Sequence, residues 1–342
     1  MRRALLVIGL LALAGCGRTT EVREPDLVVH GDQAVAARPS PDTRARGLRI
    51  ASARIVVVTH GQASDPFWAI VKKGGDDAGR QTGIAVSYRA PDTDDLQAMR
   101  RLVESAVGDH PDGLVVSLPD AKVLGPAIKD AEKAGVPIVT INSGSDVYAR
   151  LGVLAHVGQP EYRAGVEAGE RMAAAGVHHA ACVDHEAGNA GLEARCRGFA
   201  AGMRAHGGTS RVVMVRLQDL AQTRLRLAQL VATGDVDGIV TLGPAGAIPA
   251  LAALNAGGLA KRVKLATFDL SPEVLSAVRA GRMLFAVDQQ PYLQGYLPII
   301  LLAEQIKHGI FPAKGELVRT GPHFVTKATA DQAKQLSAQG IR

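Results

Sequence analysis

The sequence predicts an α/β fold with parallel sheets, and three observations support this prediction. After residue 50, short apolar runs rich in β-branched residues alternate with longer amphipathic stretches. The short runs are continuously apolar, as in strands that helices cover on both faces. Successive runs are separated by roughly 25–30 residues, which is the spacing of right-handed βα crossovers.

Nine strands are predicted in this repeat: Ile55 to Thr59, Ile84 to Tyr88, Gly113 to Leu118, Pro137 to Asn142, Ala180 to Asp184, Val212 to Leu217, Gly238 to Leu242, Lys264 to Phe268 and Leu284 to Asp288. Helical patterns closed by glycine, such as "SPEVLSAVRAGR", run between them. A closed (β/α)₈ barrel and two open sheets both fit this pattern. The polar segment "HVGQPEYRAG", His156 to Gly165, lies near the middle of the repeat and favours a crossing between two domains there.

Composition limits the class of protein. The chain has 342 residues and is 47% hydrophobic, which is enough for two ordinary domains and excludes disorder throughout. The net charge of +6 is spread thinly, without long Lys/Arg runs, so no nucleic-acid partner is predicted. Aromatic residues make up only 4%, and Trp68 is the single tryptophan, so an aromatic residue at a strand end is informative.

The N-terminus, "MRRALLVIGLLALAGCG", has a basic start and an apolar stretch from Ala4 to Ala14 that is too short for a permanent membrane helix. It predicts an export signal over residues 1–16. The string Leu13-Ala14-Gly15-Cys16 resembles a lipobox, which predicts lipidation of Cys16 and anchoring to the extracytoplasmic face of a cell-envelope membrane. An ordinary signal cut nearby is the alternative. Residues 17–50 are polar and interrupted by prolines, which predicts a flexible tether.

Cys182 and Cys196 are the two cysteines that follow Cys16. An even pair in an exported protein favours a disulfide. Cys182 ends a predicted strand and Cys196 lies in the next helix, which must turn back past that strand. Two buried free thiols are the alternative.

Ligands of open α/β sheets bind beyond the carboxyl ends of the strands, so the residues at those ends are the candidates for a binding site. They carry hydroxyls, amides, a few carboxylates, one arginine and aromatic rings. This set suits a neutral polyhydroxylated ligand, because carboxylates and amides engage hydroxyls and aromatic faces cover C–H surface. The stretches are Thr59 to Trp68, Ser117 to Asp120, Asn142 to Ser145, Asp184 to Arg195, Leu217 to Gln218, Gly243 to Ala245, Asp269, and Gln289 to Gln290.

Catalytic motifs are missing from the sequence. There is no Gly-x-Ser-x-Gly elbow, no Walker loop and no Gly-x-Gly-x-x-Gly after the first strand, so neither an enzyme nor a cofactor is predicted. Asp184-His185-Glu186 raises the possibility of a metal site or an acid/base pair. Adjacent residues at the exit of a strand do not converge on one point, so a solvated loop is favoured and no metal site is predicted.

Several stretches resemble, in order from Arg54 to about Val325, the type I periplasmic sugar-binding proteins of the ribose- and galactose-binding class. They include "VVVTHGQASDPFWAIVKKGGDDAG", "DGLVVSLPDAKVLGPAIKDAEKAGVPIVTIN", "HVGQPEYRAGVEAGERMA", "EARCRGFAAGM", "KLATFDLSPEVLSAVRAGR" and "FAVDQQPYLQGYLPI". The resemblance implies two Rossmann-like domains joined by three hinge strands. Such proteins close on a sugar without reaction and deliver it to an ABC permease.

The lobes implied by this resemblance are an N-terminal one over residues 51–158 with 290–320 and a C-terminal one over residues 159–289 with 321–342. The expected protein is a monomer. Carried over position by position, the family's ligand contacts fall on Asp65, Phe67, Trp68, Ser117, Asn142, Ser143, Arg195, Asp269 and Gln289.

Three of these contact residues have a structural alternative. Asp65 precedes Pro66 and could serve as a helix N-cap, a role compatible with ligand binding. Arg195 could pair with Glu193 or Glu186 on the surface. Gln289 could serve the hinge, the ligand or both.

Trp68 is predicted to act as an aromatic platform for the ligand. On the helix that starts at Pro66, a stripe of residues at spacings of three and four is expected to face the sheet: Phe67, Ile70, Val71, Gly74 and Ala78. Trp68 lies about 100° from Phe67 around the helix, outside the centre of that stripe. Phe67 is expected to be shared between core and cleft, and Trp68→Ala to weaken binding far more than folding.

Three departures from the family pattern bear on the ligand. Asn142-Ser143 stands where ribose-like binders show Asp-Arg, and Gly243-Pro244 stands where the family often has Asn-Asp. The loop after the first strand is also longer. These departures favour a pentose other than ribose, a hexose or a linear polyol.

The leading hypothesis is therefore a lipid-anchored solute-binding protein of an ABC importer for a sugar or polyol. A sensory binding protein for a sugar-like signal, with a chemoreceptor partner, is the alternative. A sugar-responsive repressor is disfavoured, because an export signal and a tether occupy the place of a DNA-binding domain. A secreted α/β hydrolase using Asp184, His185 or Asp269 ranks lowest.

Overall fold

Two six-stranded sheets form the framework of the protein, in a computed structural model that describes residues 52–61, 65–93, 95–216 and 219–342. Each sheet belongs to its own lobe. The predicted signal peptide, Cys16 and the tether lie outside the described residues. Within the described ranges no helix is long and apolar enough to cross a membrane.

The N-lobe is built on a sheet in which every neighbouring pair of strands is parallel. Its strands are β1 (Arg54–Val58), β2 (Ala85–Arg89), β3 (Gly113–Ser117), β4 (Ile138–Ile141), β5 (Ala155–Gly158) and β11 (Leu317–Arg319), in the order β11-β5-β4-β3-β1-β2. Its helices are α1 (Pro66–Thr82), α2 (Leu96–Gly108), α3 (Ala121–Lys133) and α9 (Pro291–His308), with a 3₁₀ turn at Tyr148–Leu151.

The C-lobe repeats this topology with one antiparallel edge strand. Its strands are β6 (His179–Asp184), β7 (Thr209–Met214), β8 (Gly238–Thr241), β9 (Lys264–Phe268), β10 (Phe285–Asp288) and β12 (His323–Thr326), in the order β12-β10-β9-β8-β6-β7. Its helices are α4 (Glu161–Ala174), α5 (Ala190–Ala205), α6 (Leu220–Ala232), α7 (Pro244–Ala256), α8 (Pro272–Arg279) and α10 (Ala330–Ala338).

The chain crosses between the lobes three times, after β5, after β10 and after β11. The predicted fold class, two α/β lobes with mainly parallel sheets, is therefore confirmed, and the closed barrel is excluded because the strands form two separate sheets.

Helices cover both faces of each sheet, which explains the continuous apolar runs. In β1, Val56 and Val58 pack in the core cluster that contains residues of α2 and α3, whereas Ile55 and Val57 pack against α1 and α9. All four side chains are buried. Burying a side chain of this size stabilises the fold by about 1.5–3 kcal/mol, so alternate residues of one strand stabilise two helix layers.

Short polar side chains begin many of the helices directly after the strand ends. Asp65, Asp95, Asp120, Asn189 and Ser271 each accept a hydrogen bond from a backbone N–H in the first turn of α1, α2, α3, α5 and α8. Such a cap typically stabilises a helix by about 1 kcal/mol. The caps hold the helix N-termini at the carboxyl edges of the sheets, where the lobes face each other.

Helices α4 and α5 are in backbone contact because glycines line their interface. A Cβ atom on Gly165 would lie 2.1 Å from the carbonyl oxygen of Arg195, and one on Gly198 would lie 2.0 Å from that of Tyr162. Real Cβ atoms do not approach so closely, so only glycine fits at either position. The contact places Glu161, at the start of α4, beside Arg195.

The predicted strands all exist, but three further strands were not predicted. Strand β5 lies inside the segment interpreted as the domain crossing; the crossing follows it, since His156 is a buried strand residue that hydrogen-bonds to Thr140. Strands β11 and β12 have three and four residues, too few for a periodic signal. Strand β7 starts at Thr209 rather than Val212 because it is an exposed edge strand with a weak apolar pattern.

Candidate ligand-binding site

A cavity of about 220 Å³ lies between the carboxyl ends of the two sheets. Seven of the nine predicted contact residues line it: Asp65, Phe67, Trp68, Asn142, Arg195, Asp269 and Gln289. The lining also includes His60, His185, Glu186 and the segment from Leu242 to Ala245. Sites for drug-sized ligands measure about 300–1,000 Å³, so this volume suits a ligand of monosaccharide size.

Gln289 joins the two lobes at the second crossing. Its Oε1 accepts hydrogen bonds from Asn142 Nδ2 of the N-lobe and from Arg195 Nη2 of the C-lobe, both at 3.3 Å. Its Nε2 donates to Asp269 Oδ1 at 2.7 Å. The side chain therefore connects the hinge to three residues of the cavity, and its predicted contact with the ligand stays a prediction.

Asn142 and Asp269 occupy equivalent positions in the two lobes. Each is the first residue after the fourth strand of its lobe, and their φ angles are 63° and 62°. Both backbone N–H groups donate to the next strand, to Val157 and Val287 respectively. Asn and Asp tolerate this left-handed backbone better than other residues with a Cβ, which explains their presence at the two turns that face the cavity.

Arg195 is paired inside the protein rather than on its surface. Its Nη2 lies 3.0 Å from Glu161 Oε1, and both side chains are only 2% exposed. The alternative considered for it, a surface pair with Glu193 or Glu186, is therefore wrong, since helix packing brings α4, not the neighbouring turn of α5, against the guanidinium. Burial acts to lower the pKa of Arg195, but Glu161 outweighs this effect and raises it, so Arg195 keeps its charge.

Glu161 was missed by the sequence reasoning. The only available signal was an acidic residue directly after Pro160, at a position that begins a helix, and this pattern is more typical of a helix terminus than of a buried ion pair. Gln159 Nε2 also donates to Glu161 Oε2 at 2.8 Å. The first crossing thus holds the acid that neutralises the arginine of the site.

Asp269 lines the cavity, and the pKa of its carboxyl lies well above the ordinary value. Burial raises the pKa of its carboxyl to about 7, although Arg195 and the hydrogen bond from Gln289 act to lower it. Both protonation states are therefore populated near neutral pH.

Three carboxylates of the lining share one arrangement. One oxygen of each is bound: Asp65 Oδ1 by the backbone of α1, Glu186 Oε2 by Asn189 Nδ2 at 2.6 Å, and Asp269 Oδ1 by Gln289. Within the part of the chain that the structure describes, the other oxygen of each accepts no hydrogen bond. The protein thus orients three acceptors and leaves an oxygen of each for donors of a ligand. Asp65 also caps its helix, so its two proposed roles are compatible.

Trp68 is a core residue as well as part of the wall, which corrects the predicted buried stripe of α1. Its side chain is 6% exposed and packs in the core cluster with Val71 and Ala78, whereas Phe67 is only partly buried. A Cβ on Gly61 would lie 1.9 Å from the indole nitrogen, so Gly61 covers the ring. The buried stripe is rotated toward Trp68, whose ring is enclosed between Gly61 and the core.

Ser117 and Ser143 lie outside the cavity lining. Ser117 Oγ accepts a hydrogen bond from the backbone N–H of His60 at 2.9 Å and contacts its Nδ1 at 2.8 Å. Ser143 Oγ donates to Asn189 Oδ1 of the C-lobe at 3.0 Å. In this structure, Ser117 positions a cavity residue and Ser143 joins the two lobes.

The interpretation of Asp184-His185-Glu186 as a solvated loop is wrong. Asp184 is buried, and the side chains of His185 and Glu186, 11% and 34% exposed, line the cavity. The two lobes together enclose this turn, which sequence spacing alone does not reveal. No group of His, Cys, Asp and Glu among the described residues is arranged to hold a metal ion.

Cys182 and Cys196 form a disulfide whose Cα atoms are 5.7 Å apart. It ties β6 to α5, the helix that carries Arg195. The bond therefore holds the site arginine close to the strand edge.

The sequence pattern of the family described as "Periplasmic binding protein domain" matches residues 55–310. A solved structure of a carbohydrate transporter from Acidothermus cellulolyticus, in complex with myo-inositol, is 33% identical, covers 85% of this chain and 100% of that one, and gives a TM-score of 0.79.

Two curated relatives are also named as binding proteins. The ribose import binding protein of Haemophilus influenzae is 24% identical over 71% of this chain and 82% of its own length. The xylose/arabinose-binding protein of Sulfolobus acidocaldarius is 23% identical over 80% of this chain and 71% of its own length. From the matched pattern, the two-lobed fold and the 33% identical structure, the chain belongs to the periplasmic binding protein family, with the type I fold of its sugar-binding members.

Proposed function

We propose that the protein is the substrate-binding component of an ABC importer, which binds a neutral sugar or polyol between its lobes and passes it to a membrane permease. The observation that carries the proposal is the set of three carboxylates in the cavity: one oxygen of each is bound by the protein, and the other accepts no hydrogen bond from the residues that the structure describes. Such acceptors match a ligand rich in hydroxyl donors. The relatives named above are binding proteins, which supports binding without catalysis.

Charge favours a neutral ligand over a sugar acid or sugar phosphate. The one guanidinium of the lining is already neutralised by Glu161, whereas Asp65, Glu186 and the ionised fraction of Asp269 carry negative charge. An anionic ligand would be desolvated next to like charges, which is unfavourable.

A cyclic polyol is the first candidate ligand. The carbohydrate transporter from Acidothermus cellulolyticus was solved with myo-inositol, and it is 33% identical to this chain. The cavity offers apolar surface for the C–H face of a ring, from Phe67 and Trp68 on one lobe and from Leu242 to Ala245 on the other. A linear polyol, a hexose and a pentose belong in the same test panel.

Family membership implies an extracytoplasmic location. We propose that residues 1–16 act as a signal peptide, that Cys16 carries the lipid anchor and that residues 17–50 are the tether. The protein would then act as a monomer at the membrane surface, where a permease collects the ligand.

Isothermal titration and thermal unfolding against a panel test the function. The panel contains myo-inositol, sorbitol, ribose, xylose, glucose and galactose, with glucuronate as the anionic comparison. At least one neutral member should bind, and a free ligand concentration of 100 Kd should stabilise the fold by about 2.7 kcal/mol. Glucuronate should not bind. Binding of glucuronate in preference to every neutral compound, or no binding of any of the seven, would contradict the proposal.

A further inference from the structure

Glu186 contacts charged or chargeable groups from both lobes. Its Oε2 lies 3.7 Å from Nε2 of His60, which follows β1 in the N-lobe. Its Oε1 lies 3.6 Å from Nε2 of His185, its neighbour in the C-lobe. Asn189 Nδ2 fixes the carboxylate from the same lobe. Of these three contacts, the one with His60 spans the cleft.

Each partner of this contact between lobes is also held by a residue of its own lobe. The backbone N–H and Nδ1 of His60 are bound to Ser117 of the N-lobe, and its Nε2 faces Glu186. Asn189, which holds Glu186, caps α5 in the C-lobe and accepts from Ser143 across the cleft. The contact therefore forms or breaks as a unit when the lobes move.

Other charged groups near Glu186 act in both the open and the closed arrangement or at longer range. His185, Asp184 and Arg195 belong to its own lobe, and Arg195 is neutralised by Glu161. Asp95 of the N-lobe and Arg216 of the C-lobe line an outer cavity of about 440 Å³ that adjoins the same carboxylate. The pKa of Glu186 is held below its ordinary value: burial acts to raise it, but His60, His185, Asn189 and Arg195 together outweigh burial.

We propose that Glu186 and His60 form a proton-linked latch between the lobes, which makes them positioning residues for ligand binding. An imidazole gains its positive charge as pH falls below about 6.5. The charged ring attracts the Glu186 carboxylate only when the lobes are closed, so protonation favours closure. The latch rests on the proposed function, because it acts on the same cavity. Closure of the lobes can nevertheless be measured without any ligand.

The first test uses the ligand-free protein. Small-angle X-ray scattering at pH 5.5 and pH 8.0 should give a smaller radius of gyration at pH 5.5 for the wild type. Glu186→Gln and His60→Gln should remove this difference, because each keeps a side chain of similar size and removes one charge. His185→Gln is the matched control: it removes an imidazole from the same carboxylate within one lobe and should keep the difference.

The second test measures myo-inositol affinity for the same proteins over the same pH range. The quantity compared is the ratio of the wild-type Kd to the Kd of Glu186→Gln. This ratio should be about threefold lower at pH 5.5 than at pH 8.0, as expected for a partly exposed ion pair. Dividing by this variant removes the titration of Asp269, which both proteins share. If neither scattering nor this ratio depends on pH, the latch is refuted. A pH-dependent radius without binding of any panel compound supports the latch and refutes the proposed function.

Discussion

Removing the charge of Glu161 is expected to change both the stability and the ligand selectivity of the protein. Glu161→Gln keeps a side chain of similar size, with an oxygen that can still accept the hydrogen bond from Gln159. The Arg195 guanidinium, however, stays charged and only 2% exposed after it loses its carboxylate partner. Breaking a buried pair by removing one partner typically costs 3–5 kcal/mol. That loss is a large part of a total stability of about 5–15 kcal/mol.

Urea unfolding monitored by circular dichroism measures this loss of free energy directly. In thermal unfolding, the melting temperature should fall by roughly 6–20 °C, at about 2–4 °C for each kcal/mol lost. The double variant Glu161→Gln with Arg195→Met removes the orphaned charge. It should be less destabilised than the sum of its single variants by about 1.5 kcal/mol or more, because the two residues are coupled.

The same substitution should alter which ligands bind, although Glu161 does not line the cavity. With Glu161 neutral, the pKa of Asp269 should fall, since Glu161 raises it and Arg195 lowers it. The positive charge of Arg195 would then be open to a carboxylate, so glucuronate should begin to bind. A free energy of unfolding for Glu161→Gln within about 1 kcal/mol of the wild-type value would refute the buried ion pair, because breaking such a pair costs more than this.

Four further predictions concern Asp269, Trp68 and Gly198. In the His60→Gln background, which lacks the latch, affinity for a neutral ligand should rise as pH increases through about 7, because the carboxylate of Asp269 accepts hydroxyl donors better than the acid. Adding Asp269→Asn should remove this rise in a titration series, and an unchanged profile would exclude Asp269 as the titrating group. Stability of the ligand-free protein should show the opposite sign: the pKa is raised on folding, so the contribution of Asp269 is complete below about 3.9 and is lost as pH rises through about 7. Trp68→Ala should lower the free energy of unfolding by about 3–5 kcal/mol in urea, since the ring is part of the core. A loss of binding with unchanged stability would instead indicate that Trp68 serves only as a platform for the ligand. Gly198→Ala should destabilise the C-lobe by more than about 3 kcal/mol in the same assay, because a Cβ would lie 2.0 Å from a backbone oxygen of α4. Gly176→Ala is the control: its Cβ position has open space around it but its φ is 85°, so the loss of stability should be smaller.

The local pattern of the chain carries most of the fold. Continuous β-branched runs and glycine-closed helices identified the major strands within a few residues, because strands covered on both faces leave a strong apolar signal. Asp65 was recognisable as a cap from its place before Pro66. Short strands such as β11 were not recognisable, since three residues carry no period.

The candidate site was only partly accessible from the sequence. Residues at strand ends, such as Asn142, Asp269 and Gln289, could be named because parallel strands bring their carboxyl ends to one edge. Their mutual arrangement could not be named, since it depends on where the lobes meet. Ser143, a predicted ligand contact, lies outside the cavity lining and contacts Asn189 across the cleft, which the sequence does not indicate.

The sequence by itself determined the two α/β lobes, the cap at Asp65 and the polar residues available at the cleft, because these follow from neighbours in the chain. The tertiary structure alone decided that Glu161 neutralises Arg195, that Trp68 is buried beside Gly61 and that Glu186 meets His60. Each of these contacts joins residues from different elements or lobes. Their electrostatic and packing energies depend on distance and burial in three dimensions, which sequence separation does not encode.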